Sequence, residues 1–307
     1  MELREVKWDI VGRRRIWFAL SSLFILAGLA AWALRGLNRG IDFTGGAMYT
    51  FRVSQDLSQD PVAHTAQARR IAQQAGVLRA QVQVFGKNEF LIRTSALTNE
   101  EAQKEAQGIQ KLLTERYGGA ELLSVELVGP VIGAHLRRTA VIALVIGCGL
   151  ILLYITFRYE FRFAVAGVLA LVHDVLVTIG ACALAHIEIN SPFVAAILTI
   201  IGYSINDTVI IFDRIRENWK LRTREDTFPE VANRSLWQTM VRSLNTSGTT
   251  LVPLIMLYFL GGPTIRDFAF TLLVGIITGA YSSIFTAAPL VVAWRLWDER
   301  RALARKR

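Results

Sequence analysis

The sequence predicts a polytopic α-helical membrane protein: six transmembrane helices, with one extracytoplasmic α+β domain of ferredoxin-like order between the first and second. Three observations predict it. Six apolar runs have about the 20 residues that a bilayer span requires. The basic residues crowd into alternate connections between those runs. One long polar segment carries the patterns of four strands and two helices in the order β-α-β-β-α-β. The chain of 307 residues is 52% hydrophobic with mean hydropathy +0.37, too apolar for an ordinary soluble domain.

Residues 1–15 form a basic N-terminus ending in Arg13-Arg14-Arg15, and the first span covers 16–34. An apolar run after three arginines could be a signal peptide. It is too long for a typical signal core, however, and Ala30-Ala31-Trp32-Ala33 makes a poor cleavage site, so we read it as an uncleaved span.

Residues 35–138 form the polar segment. Tyr49, Phe51 and Val53 alternate with Met48, Thr50 and Arg52, the period of a strand with one buried face. Asp60-Pro61 reads as a helix cap followed by proline at the first helical position, with Ala68, Ile71, Ala72 and Ala75 as the apolar stripe. Val82 and Val84 predict a strand, Gly86 to Asn88 a turn, and Phe90 and Ile92 the returning strand. Thr98 with Glu101 predicts a capping box before a helix whose inner face is Ala102, Ala106, Ile109, Leu113 and Tyr117. Leu123, Val125 and Leu127 predict the last strand. His64, on a polar helix face, has no catalytic company, so the domain reads as a binding or lever module. Gly40, Gly45 and Gly46 in "GIDFTGG", with Gly129 and Gly133 in "LVGPVIG", are its candidate hinges.

Residues 139–296 hold the remaining five spans. The runs are Thr139–Phe157, Phe163–Leu184, Phe193–Phe212, about 243–260, and Phe268–Trp294, the fifth span overall being the most hydroxyl-rich. A basic connection occupies about 213–242, and a basic tail 297–307. The connections at 185–192 and 261–267 hold only Arg266 among lysines and arginines. That asymmetry places both termini in the cytoplasm. The net charge of +9 is accounted for by this topology, so no nucleic-acid partner is inferred. Cys148 and Cys182 lie inside apolar runs and read as small packing residues. No Walker-type loop or HExxH motif points to nucleotide or zinc.

The spans carry ionisable groups that lipid tolerates poorly. His173 and Asp174 sit in the third span, Asn206 and Asp207 in the fourth with Asp213 near its end, and Arg242, Asn245, Thr246 and Thr249 share a stripe entering the fifth. Asp207 lies roughly 20 Å along its span, counting 1.5 Å per residue from Phe193. Gly275, Gly279 and Ser283 at four-residue spacing offer the sixth span a close-approach face, expected to meet a partner chain. Three readings compete. An inert network would pair Asp207 with Arg242. A proton relay would use Asp207 and Arg242, with His173, Asp174, Asn206, Asp213, Asn245 and Thr246 in support. An intramembrane protease would need Asp174 with Asp207 as an aspartyl dyad, or Ser204 with His173.

Four blocks then show a resemblance: "GIDFTGG" (40–46), "FRYEFRFAVAGVLALVHD" (157–174), "GYSINDTVIIFDRIREN" (202–218) and "RSLNTSGTT" (242–250). In this order they resemble the signature blocks of the SecF members of the SecD/SecF protein-export family, over essentially the whole chain. Phe161 departs from the tryptophan that many members carry. The resemblance implies an RND-type half of six helices paired with six from SecD. It further implies association with SecYEG and YajC in the bacterial inner membrane, no cofactor beyond protons as the coupling ion, and use of the proton-motive force to promote translocation of a preprotein. By motif, Asp207 and Arg242 match the family's proposed proton path, and His173-Asp174 its HD block. The alternative of the same architecture is half of a proton-driven RND-type exporter of small molecules or lipids.

Overall fold

The computed structural model describes residues 8–305 apart from 79 and 97. The chain divides into two compact units, Arg39–Ile142 and a helical unit built from the N-terminal helix together with residues from Ala143 onward.

In the first unit a single helical turn, Ile41–Thr44, leads into strand β1 (Gly46–Val53). Helix α2 (Pro61–Gln74), strands β2 (Gln81–Phe85) and β3 (Glu89–Thr94), helix α3 (Asn99–Tyr117) and strand β4 (Ala120–Val128) follow. The sheet order is β2-β3-β1-β4 with every neighbouring pair antiparallel, the split βαβ arrangement. The helix starts are set chemically. Asp60 accepts from the Ala63 amide at 3.0 Å, Pro61 takes the first turn, and Thr98 Oγ1 accepts from the Glu101 amide at 3.2 Å. One sheet face and the helices share a core of Tyr49, Phe51, Phe90, Ile92, Ile71, Ile109 and Leu113.

The last strand differs from its expected pattern. Leu123 and Val125 are exposed, while Leu122 packs on the core with Leu127. A register shift between Thr50 and Phe51 accounts for Leu122 and Leu123: Tyr49 pairs with Val125, but Phe51 pairs with Leu122. One extra residue exchanges the faces of the strand beyond it.

The helical unit contains α1 (Arg14–Arg35), then α4 (Pro130–Arg158), which enters it from Ala143, α5 (Phe161–Ala185), α6 (Ser191–Lys220) and α7 (Phe228–Leu260). Last comes α8 (Pro263–Ser282), continued through a π-helical turn at Ser283–Ala287 into α9 (Ala288–Ala304). Among the described residues six helices, with α8 through α9 as one, are long and apolar enough to cross a membrane. The helix of the second span starts at Pro130, ahead of the apolar run, because proline at the first position suits a helix start. Helices α6 and α7 likewise run through most of the expected 213–242 connection, leaving only 221–227 outside them. There Arg295 lies over Trp219 at 4.4 Å and Phe228 at 4.2 Å.

Helices α5 and α6 are the most enclosed of those preceding α8, while almost nothing of α4 is buried. Where α1 crosses α5, Gly28 meets Gly180, and a β-carbon added to Gly28 would stand 2.8 Å from Gly180 Cα. Only paired glycines permit that approach.

Candidate functional site

The site is assembled from small hydroxyls on three helices around two buried carboxyl groups. Helix α5 carries His173 and Asp174, both buried. Asp174 Oδ1 stands 3.0 Å from His173 Nδ1. Its Oδ2 accepts from Ser204 Oγ of α6 at 2.6 Å and from Ser282 Oγ at the end of α8 at 2.9 Å. A buried carboxyl group needs partners for its oxygens, and Asp174 has three. Thr178, one turn further on, bonds back to the Asp174 carbonyl at 2.7 Å.

Asp207 faces inward from α6, three residues beyond Ser204, and is also buried. Its Oδ1 accepts from Ser243 Oγ of α7 at 2.6 Å. Its Oδ2 is buried and has no hydrogen-bond partner among the described residues. Thr208, beside it, exchanges a 2.8 Å bond with Ser283 Oγ, and Ser283 also reaches the Ser204 carbonyl at 3.4 Å.

The expected stripe on α7 does not join this cluster. Arg242, Asn245, Thr246 and Thr249 are all exposed, and no ion pair joins Arg242 to Asp207 among the described residues. Helix α7 buries the adjacent stripe of Ser235, Thr239, Ser243 and Ser247. Small hydroxyls let neighbouring helices close in, whereas an arginine and an asparagine would hold them apart. Asn206 is exposed too, in a groove with Leu150, Ile151, Tyr154, Ile205 and Val209. Asp213 is exposed near the phenol of Tyr159, which burial and that carboxylate push up to about 12.

Nor do Gly275, Gly279 and Ser283 face outward. A β-carbon on Gly275 would overlap the Ile200 side chain, and one on Gly279 would stand 3.0 Å from Ser204 Cβ. Ser283 is fully buried. This face packs α8 on α6 within the chain, which excludes it as a partner surface.

The hinge glycines are placed as follows. Gly40 caps the Ile41–Thr44 turn, and Gly45 and Gly46 follow it at φ +73° and +123°. Gly129 precedes α4, and Gly133 lies in its first turns, close enough to the Gly45 amide that a β-carbon would stand 3.2 Å from it.

Residues that pattern reading missed are the hydroxyls. Ser204 drew notice only as a nucleophile, and Ser243 and Ser282 not at all. The four-residue spacing of Ser235, Thr239, Ser243 and Ser247 was the available signal. Ser204 donates to Asp174, and the two carboxyl groups accept from different serines, so neither protease arrangement is assembled.

The family model for the C-terminal part of the protein export membrane proteins SecD/SecF matches residues 109–297, and the SecD/SecF GG motif matches 30–56. The protein translocase subunit SecF of Desulfurispirillum indicum is 42% identical over 283 residues, covering 90% of this chain and 88% of that one. The protein translocase subunit SecDF of Thermus thermophilus is 40% identical over 96% of this chain, which spans only 40% of that longer relative. The crystal structure of that SecDF, described as a translocon-associated membrane protein, superposes with a TM-score of 0.84. A SecDF in a super-membrane-facing form gives 0.71 at 38% identity, across 99% of this chain and 41% of its own.

Proposed function

We propose a function from one premise: the chain belongs to the SecD/SecF family of protein export membrane proteins. It acts as the SecF-type subunit of a protein translocase, a multi-pass membrane protein that promotes passage of preproteins through the Sec channel. The proton-motive force drives this work, through Asp207. Both termini lie in the cytoplasm of the bacterial cell and the α/β unit outside the membrane, by the placement of lysine and arginine.

One observation carries the proton-coupled reading. Asp207 is buried inside a helix bundle with one oxygen bonded to Ser243 and the other unpaired. A static structural carboxylate would have both oxygens satisfied. An open position on a buried acid suits a group that gains and loses a proton during each cycle. Arg242, next in sequence to Ser243, supplies a permanent positive charge that a small movement of α7 can bring nearer or take away.

The exposed stripe of Arg242, Asn245, Thr246 and Thr249 supports a partner chain. Charged and amide groups on the outside of a membrane helix need protein or water rather than lipid. A SecD-type subunit covering this stripe meets that need, and the longer SecDF relative has the additional length such a half requires. The RND-type exporter alternative would use the same acid. It is disfavoured because the relatives matched over most of both chains are translocase subunits.

The test is proton conduction and preprotein export measured together in Asp207→Asn at matched levels of assembled complex. Loss of both in an intact complex is expected. An assembled variant that conducts and exports like the parent removes Asp207 from the coupling path.

A further inference from the structure

Among the described residues Asp207 is one of two buried acids within the spans, and the other sits beside an irregularity in the sixth span. Helix α8 passes into α9 through the π-helical turn Ser283–Ala287. A π turn is rare, holds one residue more than an α-helix of the same length, and occurs often at functional sites. Ser282, the last residue before it, donates to Asp174 Oδ2 at 2.9 Å. Ser283, its first residue, meets Thr208 at 2.8 Å. The irregular turn is thus tied on one side to Asp174 and on the other to the helix carrying Asp207.

His173 and Asp174 form a pair with an unfilled position of its own. With the Nδ1 proton directed at Asp174 Oδ1, the carboxylate has three donors, from His173, Ser204 and Ser282. His173 Nε2 is then a bare lone pair, and it is buried with no partner among the described residues. The imidazole stacks on the Tyr281 ring with centroids 6.0 Å apart, while the Tyr281 hydroxyl is occupied by the Trp17 carbonyl at 3.1 Å. We propose that His173 and Asp174 together form a second proton-binding site, separate from Asp207, whose occupancy sets the register of the π turn at Ser283–Ala287.

The charge arithmetic is simple. The pair carries −1 with a neutral imidazole and 0 after one proton is added, either at Nε2 or at the carboxyl group with the tautomer reversed. An ionised carboxylate holds hydroxyl donors roughly twice as strongly as a neutral carboxyl group does. Protonation of the carboxyl group therefore loosens Ser282, the direct hydrogen-bond link from this segment to Asp174. Once loosened, the extra residue of the π turn can pass along the helix. That would rotate the hydroxyls on one side by about 100°, the angle per residue of an α-helix. A bistable element of this kind is what couples a site to a movement.

The neighbours that bear on this titration are few. From α6 the facing acid is Asp207, three residues beyond Ser204. From α8 it is Tyr281. Helix α1 presents Ser21 and has no titratable residue between Trp17 and Trp32. From α9, Asp298 pairs with Arg162 at 2.9 Å, three helical turns from Asp174. Arg35 of α1 caps the Leu184 carbonyl at the opposite end of α5.

This inference deepens the proton-coupled reading, but neither of its measurements involves export, so each reading can fail without the other. The first measurement is infrared difference spectroscopy of the purified full chain with its partner, titrated with pH. Asp207→Asn should show a titrating buried-carboxyl component that is missing from Asp207→Asn with Asp174→Asn. No such component in Asp207→Asn, or identical difference spectra in the single and double variants, overturns the second site. The second measurement is amide hydrogen exchange of the segment Ser283–Ala287, corrected for intrinsic rates. It should change several-fold with pH in the parent and in Asp207→Asn, and remain flat in Asp174→Asn. A flat parent, or unchanged pH dependence in Asp174→Asn, overturns the link to the turn. If Asp174→Asn does not assemble, Ser282→Ala decides: the band should stay while the exchange response disappears. Retention of the parent's response in Ser282→Ala overturns the proposal.

Discussion

Asp207 of α6 and Ser243 of α7 meet at 2.6 Å, while Arg242, adjacent to Ser243 in sequence, is exposed and makes no ion pair with Asp207 among the described residues. The buried carboxyl group is therefore held by a hydroxyl, and the arginine stands exposed on the same helix. A structural ion pair and a proton site would place these groups differently, and the difference can be measured.

Ser243→Ala should destabilise the chain, because both oxygens of Asp207 would then be buried without a donor. An orphaned buried acceptor costs about 1–3 kcal/mol. Arg242→Lys should leave thermal unfolding within about 0.5 kcal/mol of the parent, as an exposed substitution does, yet impair proton-driven export. Unfolding curves of the two variants in one detergent make the comparison. Equal destabilisation by both would assign Arg242 a structural role.

Gly279→Leu should damage the chain itself, not only its assembly. A β-carbon there already stands 3.0 Å from Ser204 Cβ, and further atoms must displace α6. Overpacking of this kind costs about 1–3 kcal/mol or more. Asn245→Leu and Thr246→Leu, on the exposed stripe of α7, should instead leave the melting temperature of the isolated chain unchanged and reduce recovery of the partner subunit. Undiminished recovery in both would place the partner elsewhere.

These two predictions mark where pattern reading ends. The six spans were legible because length and apolarity report membrane crossing directly. The β-α-β-β-α-β order was legible because each strand and helix keeps its own period. The rotation of α7 was not. Its two candidate stripes, one through Arg242 and one through Ser243, differ by a single residue, or about 100°, and both are polar. Only the space between helices decides, and it favours the smaller side chains. Leu122 was missed because a register shift is a property of two strands together. The π turn was missed because it changes hydrogen bonding without changing composition.

The connection between α6 and α7 should respond to acid. Asp226 Oδ2 accepts from the Thr223 amide at 2.8 Å and its hydroxyl at 3.1 Å, with Arg234 at 3.5 Å from the other oxygen. The backbone bond, aided by that hydroxyl and by Arg234, holds the carboxyl group below its ordinary range. A group lowered on folding stabilises the turn above its unfolded titration, and that stabilisation is lost as pH falls through the lower folded value. Amide exchange at Thr223 should therefore speed up in acid beyond its intrinsic dependence. Asp226→Asn should flatten the response, and an unaltered response would show that Asp226 does not control it.

Among the candidate hinge glycines of the α/β unit, Gly46 should be the least replaceable and Gly129 the most. Gly46 holds φ +123°, and an added β-carbon would overlap the Thr94 carbonyl of the neighbouring strand β3. Gly45 before it, at φ +73°, is also in a region that side chains resist. Two such positions in succession turn the chain from the Ile41–Thr44 helical turn into β1 at the middle of the sheet. Gly46→Ala must either open the β1–β3 pairing or strain the turn, at a cost of about 1–3 kcal/mol for the backbone alone. Gly129 does not hold a positive φ, and a β-carbon added there would meet nothing within 4 Å. Gly129→Ala should stay within about 0.5 kcal/mol of the parent. Protease susceptibility of the α/β unit in the full chain distinguishes them: Gly46→Ala should be cleaved faster, and Gly129→Ala at the parental rate. A hinge at Gly129 would give a different signature, in which Gly129→Ala keeps parental stability and partner binding but slows export. If Gly46→Ala resists proteolysis like the parent, the paired glycines are not what shapes this turn.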